Sequence, residues 1–112
     1  MKMITALIRP SMVDAVKTAL VALEIVGMTV TDARGFGRQK GQVERYRGTE
    51  FTVDFLPKSK IMVAVPDDKL DVAITTIMES ARTGQIGDGK IFVTPVDDAI
   101  RIRTGDRGIA AL

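Results

Sequence analysis

A chain of 112 residues has room for one domain and one core. With 16 Lys and Arg against 14 Asp and Glu, both signs interspersed, it builds no field that would draw nucleic acid. Cys and His are both absent, which excludes disulfides, thiol catalysis and the commonest metal ligand and general base. This cysteine usage fits the cytosol. The opening MKMITALIRP lacks the length and cleavage site of a signal peptide, and no run approaches the ~20 apolar residues that span a bilayer.

Met3 to Ile8 is a short apolar run closed by Arg9-Pro10 and reads as a buried strand. Ser11 offers an N-cap oxygen, and Val13, Val16, Leu20 and Leu23 recur at helical spacing, predicting a helix from Ser11 to Ile25 that Gly27 ends. Met28 to Phe36 alternates as a second strand. Lys60 to Val65, closed by Pro66, repeats the buried-strand pattern, with Asp67 as N-cap. The stripe Leu70, Ala73, Ile74, Ile77, Met78 and Ala81 predicts a second helix that Gly84 ends. Lys90 to Val96 is the fourth strand, and its Pro95 calls for an edge or an end. The order is strand-helix-strand twice. It predicts an α+β, ferredoxin-like double split βαβ domain over residues 1–112, with a four-stranded antiparallel sheet and both helices on one face. The other face would carry Thr, Lys and Asp, or be buried in an oligomer.

Between strands 2 and 3 lies a long loop, GFGRQKGQVERYRGTEFTVDFLPK, with no sustained period. Loops beyond about 12–15 residues are uncommon inside a compact domain and are usually functional or disordered. Residues 37–55, with the isolated aromatics Tyr46 and Phe51, therefore read as a mobile arm that touches a partner; residues 97–112 form a C-terminal segment.

Three segments attract anions. In TGQIGDGK, residues 83–90, Gly84, Gly89 and Lys90 follow the phosphate-loop spacing, but Ile91 replaces the metal-holding hydroxyl. A helix also precedes where one should follow, so a P-loop is rejected. What survives is glycine-exposed backbone amides beside a cation, against the alternative of a helix cap followed by a glycine turn. RGFGRQKG starts like an RNA-recognition strand and then lacks its aromatics. Its Arg38 and Gln39 suit either a phosphate- or carboxylate-binding turn or a solvated hairpin turn. Arg101 and Arg103, two apart in AIRIRTG, would share one side of an extended piece anchored by Ile100 and Ile102, or form a solvated basic tail. Asp67-Asp68 and Asp97-Asp98 read as helix-start and turn residues, and no acid/base dyad is visible.

With YRGTEFTVDFLPK, TGQIGDGKIFV, GFGRQKG and RIRTG in this order and spacing, the chain closely resembles, over its whole length, the PII family of nitrogen-regulatory signal-transduction proteins. The resemblance implies a homotrimer of ferredoxin-like subunits with nucleotide sites in the inter-subunit clefts. These would bind ATP or ADP, and with ATP also 2-oxoglutarate and Mg²⁺. By matching position, Gly35, Gly37, Arg38, Gly87, Asp88, Gly89 and Lys90 would surround the phosphates, and Arg101 and Arg103 would reach them. Leu7 and Val63 or Ala64 would line the adenine, and Thr29 would bond its edge. Gln39 would ligate Mg²⁺ and, with Lys58 and Gly87, hold 2-oxoglutarate.

Ligand state would then select the arm's posture for a partner such as an ammonium transporter, a nitrogenase-regulating system, an acetyl-glutamate kinase or another nitrogen-metabolism enzyme complex. Arg47 would plug a transporter pore, which is the only contact with a membrane expected. The resemblance implies a sensor, not an enzyme. Three positions depart from the family pattern: Phe51 lacks the hydroxyl of the tyrosine many members have uridylylated, Thr49 stands where some relatives have a phosphorylated serine, and Met62 occupies a position that is often acidic. Tyr46 is not the uridylylated position. The competing expectations are a slow nucleotide hydrolase or phosphotransferase and a scaffold trimer or nucleic-acid binder on the same fold.

Overall fold

In the computed structural model, the described residues are 1–37, 42–46, 49–53 and 55–112, with backbone alone for 42–46 and 49–53. Six strands and two α-helices follow one another: β1 (Lys2–Ile8), α1 (Val13–Ala22), β2 (Thr29–Gly35), β3 (Gln42–Tyr46), β4 (Thr49–Val53), β5 (Leu56–Val65), α2 (Leu70–Ala81) and β6 (Gly89–Pro95). β2, β5, β1 and β6 form one antiparallel sheet in that order. Both helices pack on one face of it, which is the predicted ferredoxin-like arrangement. β3 and β4 form a separate two-stranded sheet among the described residues.

Period 2 in the two central strands decides which face is buried. Ile4, Ala6 and Ile8 of β1 and Ile61, Val63 and Val65 of β5 point at the helices, where Val16 and Leu20 of α1 and Ala73, Ile77 and Ala81 of α2 meet them. Burying each of the larger side chains contributes about 1.5–3 kcal/mol, which makes this layer the source of the fold's stability. Met78, expected in the α2 stripe, is 42% exposed at the margin of that layer. The opposite face of the sheet carries Leu7, Thr29, Lys58, Lys60, Met62, Ala64 and Lys90. Asp32, expected there, lies on the helix side, because it pairs with Ser59 in the register that buries Ser59.

Several boundaries differ from the sequence expectation for local reasons. β5 starts at Leu56, not Lys60, and runs through Pro57. The β1 ladder ends at Ile8 opposite Ser59, so Pro57 has a strand partner on its β2 side alone, an edge-like position that tolerates proline. Neither Ser11 nor Asp67 caps a helix. Each helix is entered through a 3-10 turn whose extended cap residue is Arg9 or Pro66, and the Asp67 carboxylate is met by the N-terminal amine at 3.0 Å. Pro10 suits the first position of such a turn.

α1 stops before Gly27. Glu24, at φ 61°, takes the left-handed position, with Glu24 N–H donating to Val21 O and Ile25 N–H to Leu20 O. That pair of bonds is a Schellman closure, fastened by burial of Ile25 against Leu20. α2 ends at Ala81 with Arg82 extended, so Gly84 belongs to the following turn and is not the helix cap. The stretch read as a structureless loop holds the β3–β4 ladder, from Gln42↔Val53 to Tyr46↔Thr49. Its Thr49, Phe51 and Val53 alternate with polar residues as a strand requires, a signal masked by the flanking charges. The roles expected of Arg38, Gln39 and Arg47 fall outside the described residues, as do those of the Tyr46, Thr49 and Phe51 side chains. Among the described residues no helix is long and apolar enough to cross a membrane.

Candidate functional site

The turn from Thr83 to Lys90 joins α2 to the edge strand β6, and its own carboxylate holds it in shape. Asp88 Oδ2 accepts from the backbone N–H of Thr83 and of Gly84, each at 2.9 Å, while Oδ1 accepts from the Thr83 hydroxyl. The Arg9 guanidinium approaches Oδ1 at 3.1 Å. The Thr83 hydroxyl first, then these amides and Arg9, hold the Asp88 carboxyl well below the usual carboxylate range despite desolvation. Its side chain therefore braces the turn from behind. Gly84, Gly87 and Gly89 have φ of 88°, 104° and 105°, a region that favours residues without Cβ.

This turn forms one wall of a cleft of about 420 Å³ on the open face of the sheet. Gly35, Phe36 and Gly37 at the end of β2, Leu56 and Lys58 of β5, and Leu7 of β1 line the rest. Register explains the convergence, since Leu7 lies opposite Lys90 on one side and Lys60 on the other, and Gly35 lies opposite Leu56. The Lys58 ammonium donates to Gly87 O at 2.5 Å. Burial, and then the neighbouring Arg9, push the Lys58 pKa down, with Asp88 only partly offsetting them. Among the described residues here Arg9, Lys58 and Lys90 outnumber the one carboxylate, Asp88, and an anion in the cleft would relieve that excess. The donor set fits a phosphate or carboxylate ligand. Among the described residues no group of three or more Asp, Glu, His or Cys converges, so any Mg²⁺ here would lean on ligand oxygens, as Mg²⁺ commonly does.

The expected site residues divide. Leu7, Gly35, Gly37, Lys58 and Gly87 through Lys90 meet in this cleft. Thr29 lies opposite Met62, and Ala64 opposite Met3, towards the other end of the open face. Along β1 the Ala64 row is four residues from Leu7, roughly 14 Å at ~3.4 Å per residue, while the Thr29 row is two residues away and Thr29 itself two strands across, at ~4.8 Å per strand. One protomer therefore does not bring Leu7 to Thr29 and Ala64. Val63 drops out as an adenine-lining side chain, because it is 1% exposed and faces the helices.

Arg101 and Arg103 are also not in the cleft, and the segment carrying them is a turn, not an extended piece. Arg101 is occupied with Asp106 at 3.4 Å and Leu112 O at 3.2 Å. Ile102 is fully exposed and Ile100 is 55% exposed, so neither anchors that segment within the chain. The Asp97-Asp98 pair behaves as read: Asp98 organises a turn by accepting from Arg107 and from the N–H of Ala99 and Gly108.

Two contributors escaped the sequence reading. Arg9 looked like the corner of a strand, although an isolated Arg between a buried run and a proline was a signal. Phe36 lines the cleft and meets Phe55 with ring centroids 6.1 Å apart, joining the two roots of the β3–β4 arm.

The sequence model of the family described as "Nitrogen regulatory protein P-II" matches residues 1–106. The chain is 56% identical over 112 residues to the Nitrogen regulatory protein P-II of Nostoc punctiforme, covering all of both chains. It is 56% identical over 112 residues to Nitrogen regulatory protein P-II 1 of Escherichia coli, again over both full lengths. With the Nitrogen regulatory protein P-II of Azospirillum brasilense it shares 57% identity over 108 residues, 96% of each chain.

Proposed function

Because the chain belongs to the P-II family of nitrogen regulatory proteins, with a role in nitrogen-regulation signalling, we propose that it senses ATP or ADP together with 2-oxoglutarate and reports them through the posture of its arm. The observation that carries this reading is the cleft in which the amides of a braced glycine turn stand beside Lys90 and Lys58. Polyphosphate would lie along the Gly87 to Lys90 backbone. Lys58, held at the start of β5, would receive a dicarboxylate. Gln39 would hold Mg²⁺, which when bound would supply positive charge to the ligand oxygens. Gly35, Phe36 and Gly37 form both the wall of the cleft and the root of the arm, so occupancy of one bears directly on the other.

The site also calls for a neighbouring copy. Thr29, two strands across from Leu7, and Ala64, two rows further along the open face, both lie outside the cleft, and Arg101 and Arg103 lie elsewhere. A homotrimer in which each cleft joins the phosphate half of one protomer to the base half of the next reunites them. The exposed Ile100 and Ile102 would be covered at such a contact. The partner would be a transporter or enzyme of nitrogen metabolism, reached in the cytoplasm through residues 37–55, with Arg47, Thr49 and Tyr46 available to it. A regulator of this kind transmits binding and needs no turnover.

Titration calorimetry with ATP, Mg²⁺ and 2-oxoglutarate tests the proposal. ATP should bind, and 2-oxoglutarate should bind only in its presence. A chain that ignores nucleotide, or takes 2-oxoglutarate equally without ATP, would defeat the reading. Turnover above about 1 s⁻¹, ordinary for an enzyme, would favour the hydrolase alternative.

A further inference from the structure

We infer that Arg9 is a positioning residue of the anion-binding turn: it fixes the amides that receive the ligand by gripping Asp88 and the Ile86 carbonyl together. The inference rests on the nucleotide reading above and assigns a role within that site.

Arg9 follows Ile8, the buried last residue of β1, and precedes Pro10, so its backbone is anchored on both sides. From there the guanidinium spans the turn. Nε lies 3.1 Å from Asp88 Oδ1, and Nη2 donates to Ile86 O at 2.8 Å. The two contacts flank Gly87, whose own carbonyl is held by Lys58. Three consecutive carbonyl or carboxylate groups are thus pinned to the sheet by two side chains, one just past the end of β1 and one from β5. Only a planar fork with several fixed donors holds two of them at once.

The turn needs such bracing. With Gly84, Gly87 and Gly89 all at positive φ, its backbone has more freedom to lose than any other part of the described chain. An unbraced turn would have to be ordered by the ligand, at the ligand's expense. The bracing also keeps the Asp88 carboxylate turned towards Thr83, Gly84 and Arg9, where it does not repel an incoming anion. Burial first, and then the nearby Arg9, depress the Lys58 pKa, so the brace sets two cations beside the place where an anion would sit.

Two measurements on the full-length chain test the assignment. Without ligand, Arg9→Gln should accelerate amide hydrogen exchange at residues 84–89 while Ile4 and Val63 in the core keep their protection. With ATP, Arg9→Gln should weaken binding about tenfold, and Arg9→Lys, which keeps the charge but loses the fork, should fall between. In an Asp88→Asn background, Arg9→Gln should weaken ATP far less than in the parent, because both act on one brace. Exchange at 84–89 unchanged by Arg9→Gln would overturn the role. So would equal losses in the two backgrounds, which would make Arg9 a direct ligand contact. A parent chain that binds no ATP sinks the nucleotide reading and this role together. A parent that binds ATP no better than its Arg9→Gln variant sinks this role alone.

Discussion

The Lys58 ammonium and the Gly87 carbonyl are joined at 2.5 Å, tying the start of β5 to the glycine turn. A dicarboxylate drawn to Lys58 must therefore compete with the protein's own backbone for it. What favours the ligand is charge: burial and Arg9 depress the Lys58 pKa, and a carboxylate beside it would relieve both effects. Charge-assisted bonds contribute about 1.5–3 kcal/mol each. Lys58→Met should then weaken 2-oxoglutarate, measured by calorimetry in the presence of Mg²⁺ and ATP, by roughly 10- to 100-fold. ATP alone should weaken less, by no more than about tenfold, because only the hold on the Gly87 carbonyl is lost to it. Unchanged 2-oxoglutarate affinity would remove Lys58 from the site.

Acid should loosen the same turn. The Asp88 carboxyl is held below its ordinary range by the Thr83 hydroxyl first, and also by the Thr83 and Gly84 amides and Arg9. A carboxyl depressed in the folded state binds fewer protons there than in the unfolded chain. Its stabilising effect is therefore complete above the ordinary value of about 4 and is withdrawn as pH falls through that value towards the lower folded one. Urea midpoints measured from pH 6 down to pH 2 should fall less steeply in Asp88→Asn than in the parent. Parallel slopes would mean that the carboxylate is not engaged in solution.

These two residues also mark how far the sequence could be read. Lys58 came only from the family resemblance, whereas the Gly87 to Lys90 segment was legible as anion-seeking because composition and spacing carry that information locally. Arg9 was not, because its partner is 79 residues away and its neighbours are an apolar strand and a proline. Asp88 was placed among the phosphate neighbours, whereas in the fold its side chain turns back on Thr83, a choice set by local backbone geometry. The sheet and helices followed from hydrophobic period. The ends did not: a 3-10 turn displaced Ser11 and Asp67 as caps, and one-sided pairing let β5 run through Pro57. The division of Leu7 from Thr29 and Ala64 depends on strand register, which no local pattern announces.

The end of α1 offers a test of stability alone. Glu24 closes the helix at φ 61°, a conformation that costs a residue with Cβ about 1–2 kcal/mol. Glycine removes that strain but adds freedom to the unfolded chain, returning about 0.5–1 kcal/mol. Glu24→Gly should therefore raise unfolding stability by about 0.5–1 kcal/mol in urea denaturation at matched protein concentration, with ATP affinity unaltered. The bonds Glu24 N–H to Val21 O and Ile25 N–H to Leu20 O are backbone and survive the change. A variant less stable than the parent would show that the Glu24 side chain contributes something the closure does not require.

The opposite result is expected at Gly89, where β6 begins beside β1. Its φ is 105°, and a Cβ there would stand 1.6 Å from Leu7 O and 2.7 Å from Leu7 C. Those atoms belong to the backbone of a central strand, so no side chain can swing aside. The first rung of the ladder, Ile8↔Gly89, would have to open instead. Adding strain and a lost rung, Gly89→Ala should cost about 2–4 kcal/mol in urea denaturation. It should also shift Lys90, the next residue, away from Leu7 and weaken ATP. Gly37→Ala is the matched control: among the described residues nothing lies within 4 Å of its added methyl, and its stability should stay within about 0.5 kcal/mol of the parent. If Gly89→Ala were as stable as that control, β6 could not approach β1 closely enough to set Lys90 opposite Leu7, and the cleft would lose its floor.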